Sequence, residues 1–324
     1  MDYTTSRTDA RSMKPRVIAD ANIPFLTELL GDSVELIRLA PTDITAETMR
    51  EADALITRTR TRCDARLLDG SRCRFIATAT IGTDHIDFPY CASRGITVAS
   101  APGCNAPAVA QYVLASALRL IGDRRPEELT LGIVGVGHVG SIVERWARGL
   151  GFRLLLCDPP REEAEGCDRF VSLGEIARRA DIITFHTPHT LTGPYATHHL
   201  ADSSFFSSLE RQPIIINSAR GPITDTTALL DAIDAGKVGS VVIDCWEGEP
   251  DINLDLLDNA AYATPHIAGY SAEGKARASL MAARALADHF GIRFAPSIPV
   301  PHDAPATVTA AQLLQSYALC LIHN

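Results

Sequence analysis

Three side chains set far apart in the chain carry the chemistry of a proton-coupled redox step. Arg220 stands in Asn217-Ser218-Ala219-Arg220-Gly221, Glu249 in Asp244-Cys245-Trp246-Glu247-Gly248-Glu249-Pro250, and His266 follows Tyr262-Ala263-Thr264-Pro265. A planar guanidinium grips a carboxylate with two parallel bonds and steadies charge on a neighbouring oxygen. An imidazole exchanges a proton with a hydroxyl near neutral pH, and a carboxylate beside it orients the ring and favours its charged form. Each of the three follows a short apolar run, and in an open α/β sheet ligands sit beyond the carboxyl ends of the strands.

What those groups act with is written in a glycine-rich turn. Gly135-Val136-Gly137-His138-Val139-Gly140 comes directly after the apolar run Leu131-Gly132-Ile133-Val134, and Asp158 closes the next run, Leu154-Leu155-Leu156-Cys157. Gly135 permits the strand-to-helix turn, Gly137 lets backbone approach a pyrophosphate, and Gly140 lets the following helix pack on the strand. That helix, from about His138 to Leu150, points its N-terminal N–H groups at the phosphates. A carboxylate at Asp158 accepts bonds from ribose hydroxyls and repels a 2′-phosphate, so the cofactor expected is NAD rather than NADP. Arg161 is the nearest cation that could meet such a phosphate.

Other polar residues at strand ends complete the candidate set. Thr187 follows Ile182–Phe185, and Asp244 closes Val241–Ile243, either to hold the nicotinamide amide or simply to end the strand. Glu247 reads as part of a solvated acidic loop. His186 and His189 have HxxH spacing and His198-His199 are adjacent, but no acidic or cysteine ligands stand with them in sequence, so no metal is expected.

The elements that must position these groups alternate strand-like and helical patterns. Val17–Ala19, Val34–Ile37, Ala54–Thr57, Phe75–Thr78 and Thr97–Ala99 read as a first set of strands. Asn105 with Pro107 opens a helix to about Ile121. Leu131–Val136, Arg153–Cys157, Ile182–Phe185, Ile214–Asn217 and Val241–Asp244 read as a second set, with a helix from Thr226 to Ala235 ending at Gly236. Ser271–Phe290 reads as a long helix, Ala295–Pro305 as a proline-rich linker, and Ala310–Ile322 as another helix. The pattern predicts an α/β fold of two doubly wound parallel sheets: a Rossmann-like NAD domain and a flavodoxin-like substrate domain, with the reaction in the cleft between them.

The boundaries expected are a disordered extension over 1–13, a substrate domain over 14–104 completed by the C-terminal segment, an NAD domain over 105–288, and a return segment over 289–324. At 324 residues the chain exceeds one typical core. A net charge of −9 excludes general nucleic-acid binding, and no apolar stretch is long enough for a membrane span. The 8 cysteines contain no CxxC pair, which suits reduced thiols in the cytoplasm.

These pieces resemble the D-isomer-specific 2-hydroxyacid dehydrogenase family. The likeness rests on the glycine turn, on the Arg220, Glu249 and His266 positions, and on several longer blocks. These are Ala99–Asn105, Thr78-Ala79-Thr80 with Gly82–His85, Cys157–Pro160, Thr184–Pro188, Asp244–Pro250, His266–Tyr270 and Glu273–Arg277. It covers about Lys14 to Phe290. The resemblance implies catalysis by Arg220, Glu249 and His266, and NAD contacts at Gly135, Gly137, His138, Val139, Gly140, Asp158, Thr187, Asp244 and Gly269. It implies substrate contacts at Thr59, Thr80 and Tyr270, with a small phosphorylated hydroxy acid oxidised by NAD.

Arg58 is added as a phosphate ligand, because a dianionic substrate meets an acidic protein here. Alternation would place Arg58, Arg60 and Arg62 on one face if the strand through Thr57 extends that far. A homodimer is implied where the family's C-terminal dimerisation domain is complete; here the chain ends at Asn324, soon after Phe290. A non-catalytic NAD sensor on the same fold would need only the glycine turn and Asp158.

Overall fold

A computed structural model of the chain describes residues 14–296, 298–299 and 303–316. The expected extension over 1–13, Cys320 and the expected helical stretch past Ser316 lie outside the described residues. Among the described residues, those within Met1–Cys104 and Lys275–Pro301 form one compact unit, and those within Asn105–Gly274 and His302–Asn324 form a second.

The first unit holds strands β1 (Arg16–Asp20), β2 (Glu35–Leu39), β3 (Ala54–Thr57), β4 (Phe75–Thr78) and β5 (Thr97–Ala99). They pair in parallel in the order β2-β1-β3-β4-β5, the flavodoxin-like winding. Successive residues of a strand point to opposite faces, and both faces here are covered. Val17, Ala19, Ala54, Ile56, Phe75 and Ala77 enter one core while Ile18, Leu55 and Ile76 enter the other. This is why the central strands β3 and β4 are buried throughout and read as apolar runs rather than alternating ones.

The second unit holds β6 (Thr130–Val134), β7 (Arg153–Cys157), β8 (Ile182–Phe185), β9 (Ile214–Asn217), β10 (Ser240–Ile243) and β11 (Tyr262–Ala263). All pair in parallel in the order β11-β10-β9-β8-β6-β7. The winding reverses at β6, so the carboxyl end of β6 is the switch point where such sheets bind ligands. The same division of faces holds: Ile133, Ile182, Ile214, Ile216 and Val242 enter one core, and Val134, Ile183, Ile215, Val241 and Ile243 the other.

Two boundaries differ from the sequence reading. The helix Ala272–Phe290 was expected to stay with the NAD domain to residue 288, yet from Lys275 it belongs to the first unit. The reason is its small-residue face: Ala278, Ala282, Ala283 and Leu286 are buried in the core that holds Phe75 and Val17. Beyond the linker the chain turns back to the second unit, where Leu313 of the helix Ala310–Ser316 is buried with Val109 and Val113. Arg119 donates to the carbonyl of Leu314 (2.7 Å) and the Trp146 indole to that of Pro305 (2.8 Å), fastening this segment at two points.

Candidate active site

The glycine turn forms as its spacing requires. Gly135 has φ of +87°, a conformation open to glycine, and a Cβ there would also meet the backbone of His186 at 2.8 Å. At Gly140 a Cβ would lie 2.0 Å from the carbonyl oxygen of Gly135, so only hydrogen lets the helix His138–Gly149 close onto β6. Gly137, by contrast, caps that helix with no side-chain bond and faces open space, with nothing within 4 Å of a built Cβ. His138 and Val139 are the first residues of the helix.

Asp158 caps the helix Pro159–Glu165 and receives Val136 N–H at Oδ2 (2.7 Å) and Arg161 N–H at Oδ1 (3.2 Å). Thr187, at the end of β8, has a buried hydroxyl with no hydrogen-bond partner. A buried orphan hydroxyl calls for a ligand. An open cradle at Gly137, an acid beside the turn and an unsatisfied Thr187 together fit a dinucleotide.

The proton-handling pair is built on the neighbouring strand ends. His266 Nδ1 meets Glu249 Oε2 at 2.9 Å. The other carboxylate oxygen of Glu249 accepts the Trp246 N–H. The hydrogen bond to Glu249 raises the His266 pKa above its usual value; burial and the Arg220 charge pull the other way, and the Asp244 charge adds to the rise. Burial pushes Glu249 up, yet the bonds from His266 and Trp246 N–H more than offset it and leave the carboxyl low. With Nδ1 committed to Glu249, Nε2 is the nitrogen left to trade a proton with a substrate.

Arg220 joins the pair through its loop. Its Nη1 donates to the Ala219 carbonyl (2.8 Å), and its charge acts on both Glu249 and His266. Gly221 makes the approach possible: a Cβ there would fall 2.0 Å from the carbonyl oxygen of Trp246, just ahead of Glu249. Arg220, Glu249 and His266 are thus brought together from the ends of three elements. The Cys245 thiol lies beside them, within 4.8 Å of the ligand atoms of Glu249 and His266, and burial holds its pKa well above the usual value.

A buried polar lattice that sequence reasoning missed holds the pair in place. Asp244, 1% exposed, accepts from the Thr264 hydroxyl and Ile267 N–H (2.8 Å) at Oδ1 and from Ala268 N–H (3.0 Å) at Oδ2, while its own carbonyl accepts His266 N–H (2.8 Å). Burial raises the Asp244 carboxyl, against the pull of those hydrogen bonds. The Thr264 hydroxyl also meets the Tyr112 hydroxyl (2.8 Å), and the Trp246 indole donates to the Thr264 carbonyl (2.9 Å). The lattice keeps His266 at φ of +56°, in the left-handed region. Asp244 at the strand end was the signal available for it; nothing in the sequence pointed to Tyr112 on the helix Ala106–Ile121.

Asp244 therefore does more than end a strand. Gly269, further along the same loop, is pressed against Asn105, whose Nδ2 would stand 1.9 Å from a Cβ. Tyr270 beyond it is 63% exposed.

Three sequence expectations are corrected here. β3 stops at Thr57, so Arg58, Arg60 and Arg62 do not alternate along a strand; Arg58 is partly buried, Arg60 is exposed, and Arg62 pairs with Asp64 at 3.2 Å. The chain turns at residues 59–60, and further on Cys63 bridges in parallel to Ile86. Glu247 is not a solvated loop acid: it accepts from His199 Nε2 and from Thr226 N–H (3.1 Å). For the same reason the histidines do have acidic neighbours, since His199 also stands 3.4 Å from Asp225. Elsewhere His189 Nε2 meets His198 Nδ1 (3.1 Å), and burial pushes His186 down to about 3.

In the first unit Thr59 is exposed just past β3. Thr80, past β4, shares hydrogen bonds with the Thr78 hydroxyl (2.6 Å) and the Gly82 carbonyl (3.0 Å). Among the described residues the cysteines are free thiols, all buried except Cys167, and no helix is long and apolar enough to cross a membrane.

Comparison with known proteins places this geometry. Residues 112–268 match the family described as D-isomer specific 2-hydroxyacid dehydrogenase, NAD binding domain. The chain is 48% identical over 298 residues to the erythronate-4-phosphate dehydrogenase of Bacteroides thetaiotaomicron, covering 91% of this chain and 86% of that protein. It is 45% identical over 282 residues to the enzyme of the same name from Porphyromonas gingivalis, covering 86% and 76%. Among solved structures, D-lactate dehydrogenase from Aquifex aeolicus, complexed with NAD and lactic acid, superposes with a TM-score of 0.70 at 25% identity, covering 88% of this chain and 100% of that one. The chain belongs to the D-isomer specific 2-hydroxyacid dehydrogenases, a family of NAD-dependent oxidoreductases.

Proposed function

We propose that this chain oxidises 4-phospho-D-erythronate at C2, giving (R)-3-hydroxy-2-oxo-4-phosphooxybutanoate and NADH, as a step of pyridoxal 5′-phosphate synthesis. The observation that carries the chemistry is the bond from His266 Nδ1 to Glu249 Oε2, with the Arg220 charge acting on both groups. The curated relatives named above support the choice of substrate.

Arg220 grips the substrate carboxylate and steadies the C2 oxygen. His266 Nε2 takes the hydroxyl proton, and Glu249 stabilises the imidazolium that results. When bound, NAD⁺ supplies the hydride acceptor. Gly135, Gly137, His138, Val139 and Gly140 form its phosphate cradle; Asp158, Thr187, Asp244 and Gly269 complete its contacts. Arg58, Thr59, Thr80 and Tyr270 are assigned to the substrate, with Arg58 on the phosphate. The enzyme works in the cytoplasm, as a homodimer where the C-terminal dimerisation domain is complete.

The test follows nicotinamide absorbance with 4-phosphoerythronate, 3-phosphoglycerate and D-lactate in parallel. The expected kcat/KM favours the first by roughly 10⁴-fold, the margin when a competitor leaves a polar partner of the site unmatched. Equal or reversed preference overturns the substrate assignment.

A further inference from the structure

We propose that Cys245, Glu249 and His266 form an inhibitory metal site, which takes a borderline-soft divalent cation such as Zn²⁺ in place of the protons these groups hold. Binding follows from the three side chains alone, whereas inhibition rests on the role proposed for His266 in turnover.

The groups offer one sulphur, one oxygen and one nitrogen, all within 4.8 Å of one another. Such a donor set selects zinc or cobalt over magnesium, which keeps to oxygen ligands. His266 Nδ1 and Glu249 Oε2 already stand 2.9 Å apart. Bonded to one tetrahedral zinc, the same two atoms would sit about 3.3 Å apart, each about 3.6 Å from a thiolate sulphur. The pair opens by a few tenths of an ångström, and the sulphur moves by roughly 1 Å at most, well within a rotation about its Cα–Cβ bond.

The ligands are held as a metal site holds them. Glu249 Oε1 accepts the Trp246 N–H, which leaves Oε2 turned to His266, and the His266 N–H is fixed to the Asp244 carbonyl (2.8 Å). Hydrogen bonds to a ligating carboxylate are what orient it around a cation. Access is one-sided: the His266 and Glu249 side chains are 48% and 35% exposed, while Cys245 is 2% exposed. An entering cation meets nitrogen and oxygen first and a soft sulphur at the floor, with a fourth position left for water.

Charge is conserved in the exchange. A coordinating cation deprotonates a thiol outright. With His266 and Glu249 as imidazolium and carboxylate, two protons leave to solvent for one Zn²⁺, so the net charge beside Arg220 is unchanged and no electrons move. The cation takes the Nδ1 lone pair, and its charge opposes protonation at Nε2, the nitrogen that must accept the hydroxyl proton.

Titration of the whole chain with Co²⁺ reads the site without turnover, because cobalt bound to a thiolate gives a near-ultraviolet charge-transfer band and, when tetrahedral, strong visible bands. Both are expected to grow to one equivalent, to be abolished by Zn²⁺ and to be untouched by Mg²⁺. Saturating Zn²⁺ should lower kcat roughly 100-fold, the low end of what a general base contributes. A chelator should restore it, which separates coordination from thiol oxidation. Cys245→Ala, at a residue with no part in the proposed proton transfer, should keep turnover in the absence of metal and lose the charge-transfer band. Loss of an outer-shell partner alone costs about 10–100-fold in metal affinity, so losing the sulphur should raise the half-inhibiting Zn²⁺ concentration at least about 100-fold. Cys245→Ser, closer in volume, repeats both readings.

A cobalt band that survives these variants, or equal Zn²⁺ inhibition of variant and unaltered protein, places the metal elsewhere and overturns the proposal; the His189–His198 pair (3.1 Å) is the site that would bind without a thiol. Absence of the charge-transfer band from the unaltered protein overturns it as well. A band that depends on Cys245, with turnover unaffected by saturating Zn²⁺, would instead overturn the role given to His266.

Discussion

At the scale of single residues, the site turns on where one proton sits. His266 donates from Nδ1 to Glu249, which raises its pKa, while Arg220 opposes the rise and Asp244 adds to it. Oxidation of a hydroxyl needs the unprotonated ring, so that rate climbs as pH rises through the His266 pKa; reduction of the ketone needs the protonated ring and falls over the same window. Glu249→Gln removes the group that holds the pKa up. The rising limb of kcat/KM for oxidation should therefore move to lower pH, even as its plateau falls. A limb that stays in place would show that Glu249 does not act through His266. His266, Glu249 and Arg220 were legible from residue type and strand-end position, but the sequence cannot tell which glutamate of Glu247-Gly248-Glu249 meets the histidine. Packing decides it: Glu247 is taken by His199 and Thr226.

At the scale of elements, the loop after β11 is held by bonds that run across the chain. Thr264 links Tyr112, from the helix Ala106–Ile121, to Asp244, at the end of β10, and Asp244 in turn holds Ile267 and Ala268. Thr264→Val deletes the hydroxyl and leaves two buried partners short of a bond, which should cost about 1–3 kcal/mol. The amides of Ile267 and Ala268 should then exchange hydrogen faster, read residue by residue. Unchanged protection would take Thr264 out of the lattice. The strands themselves were legible: β3, β4, β5, β7, β8 and β9 match the expected runs end to end, because an almost wholly apolar run in a parallel sheet stands out against the polar turns that bound it. The arginine run after Thr57 was not legible, since period-2 alternation says nothing about where a strand stops.

At the scale of the whole molecule, the chain changes units after Cys104, after Gly274 and again after Pro301. The last crossing returns a short helix to the second unit, where Leu313 is 2% exposed among Val109, Val113 and Leu129. Leu313→Ala should lower stability by about 2–3 kcal/mol, the low end for a buried leucine because a two-turn helix with mostly exposed neighbours relaxes around the loss. Thermal unfolding reads it as a lower midpoint; an unchanged midpoint would mean the segment adds nothing to the second unit.

The sequence alone determined the parallel α/β pattern of both units, the dinucleotide turn and the histidine and guanidinium of the candidate site, because each is a local pattern of residue type and spacing. Only the tertiary structure decided the pairing of His266 with Glu249, the buried lattice behind them, the side on which the long helix packs, and the placing of the Cys245 thiol beside the pair. Those are contacts between residues distant in the chain or between side chains with several partners within reach. Which partner wins depends on distances and burial that no single stretch of sequence carries.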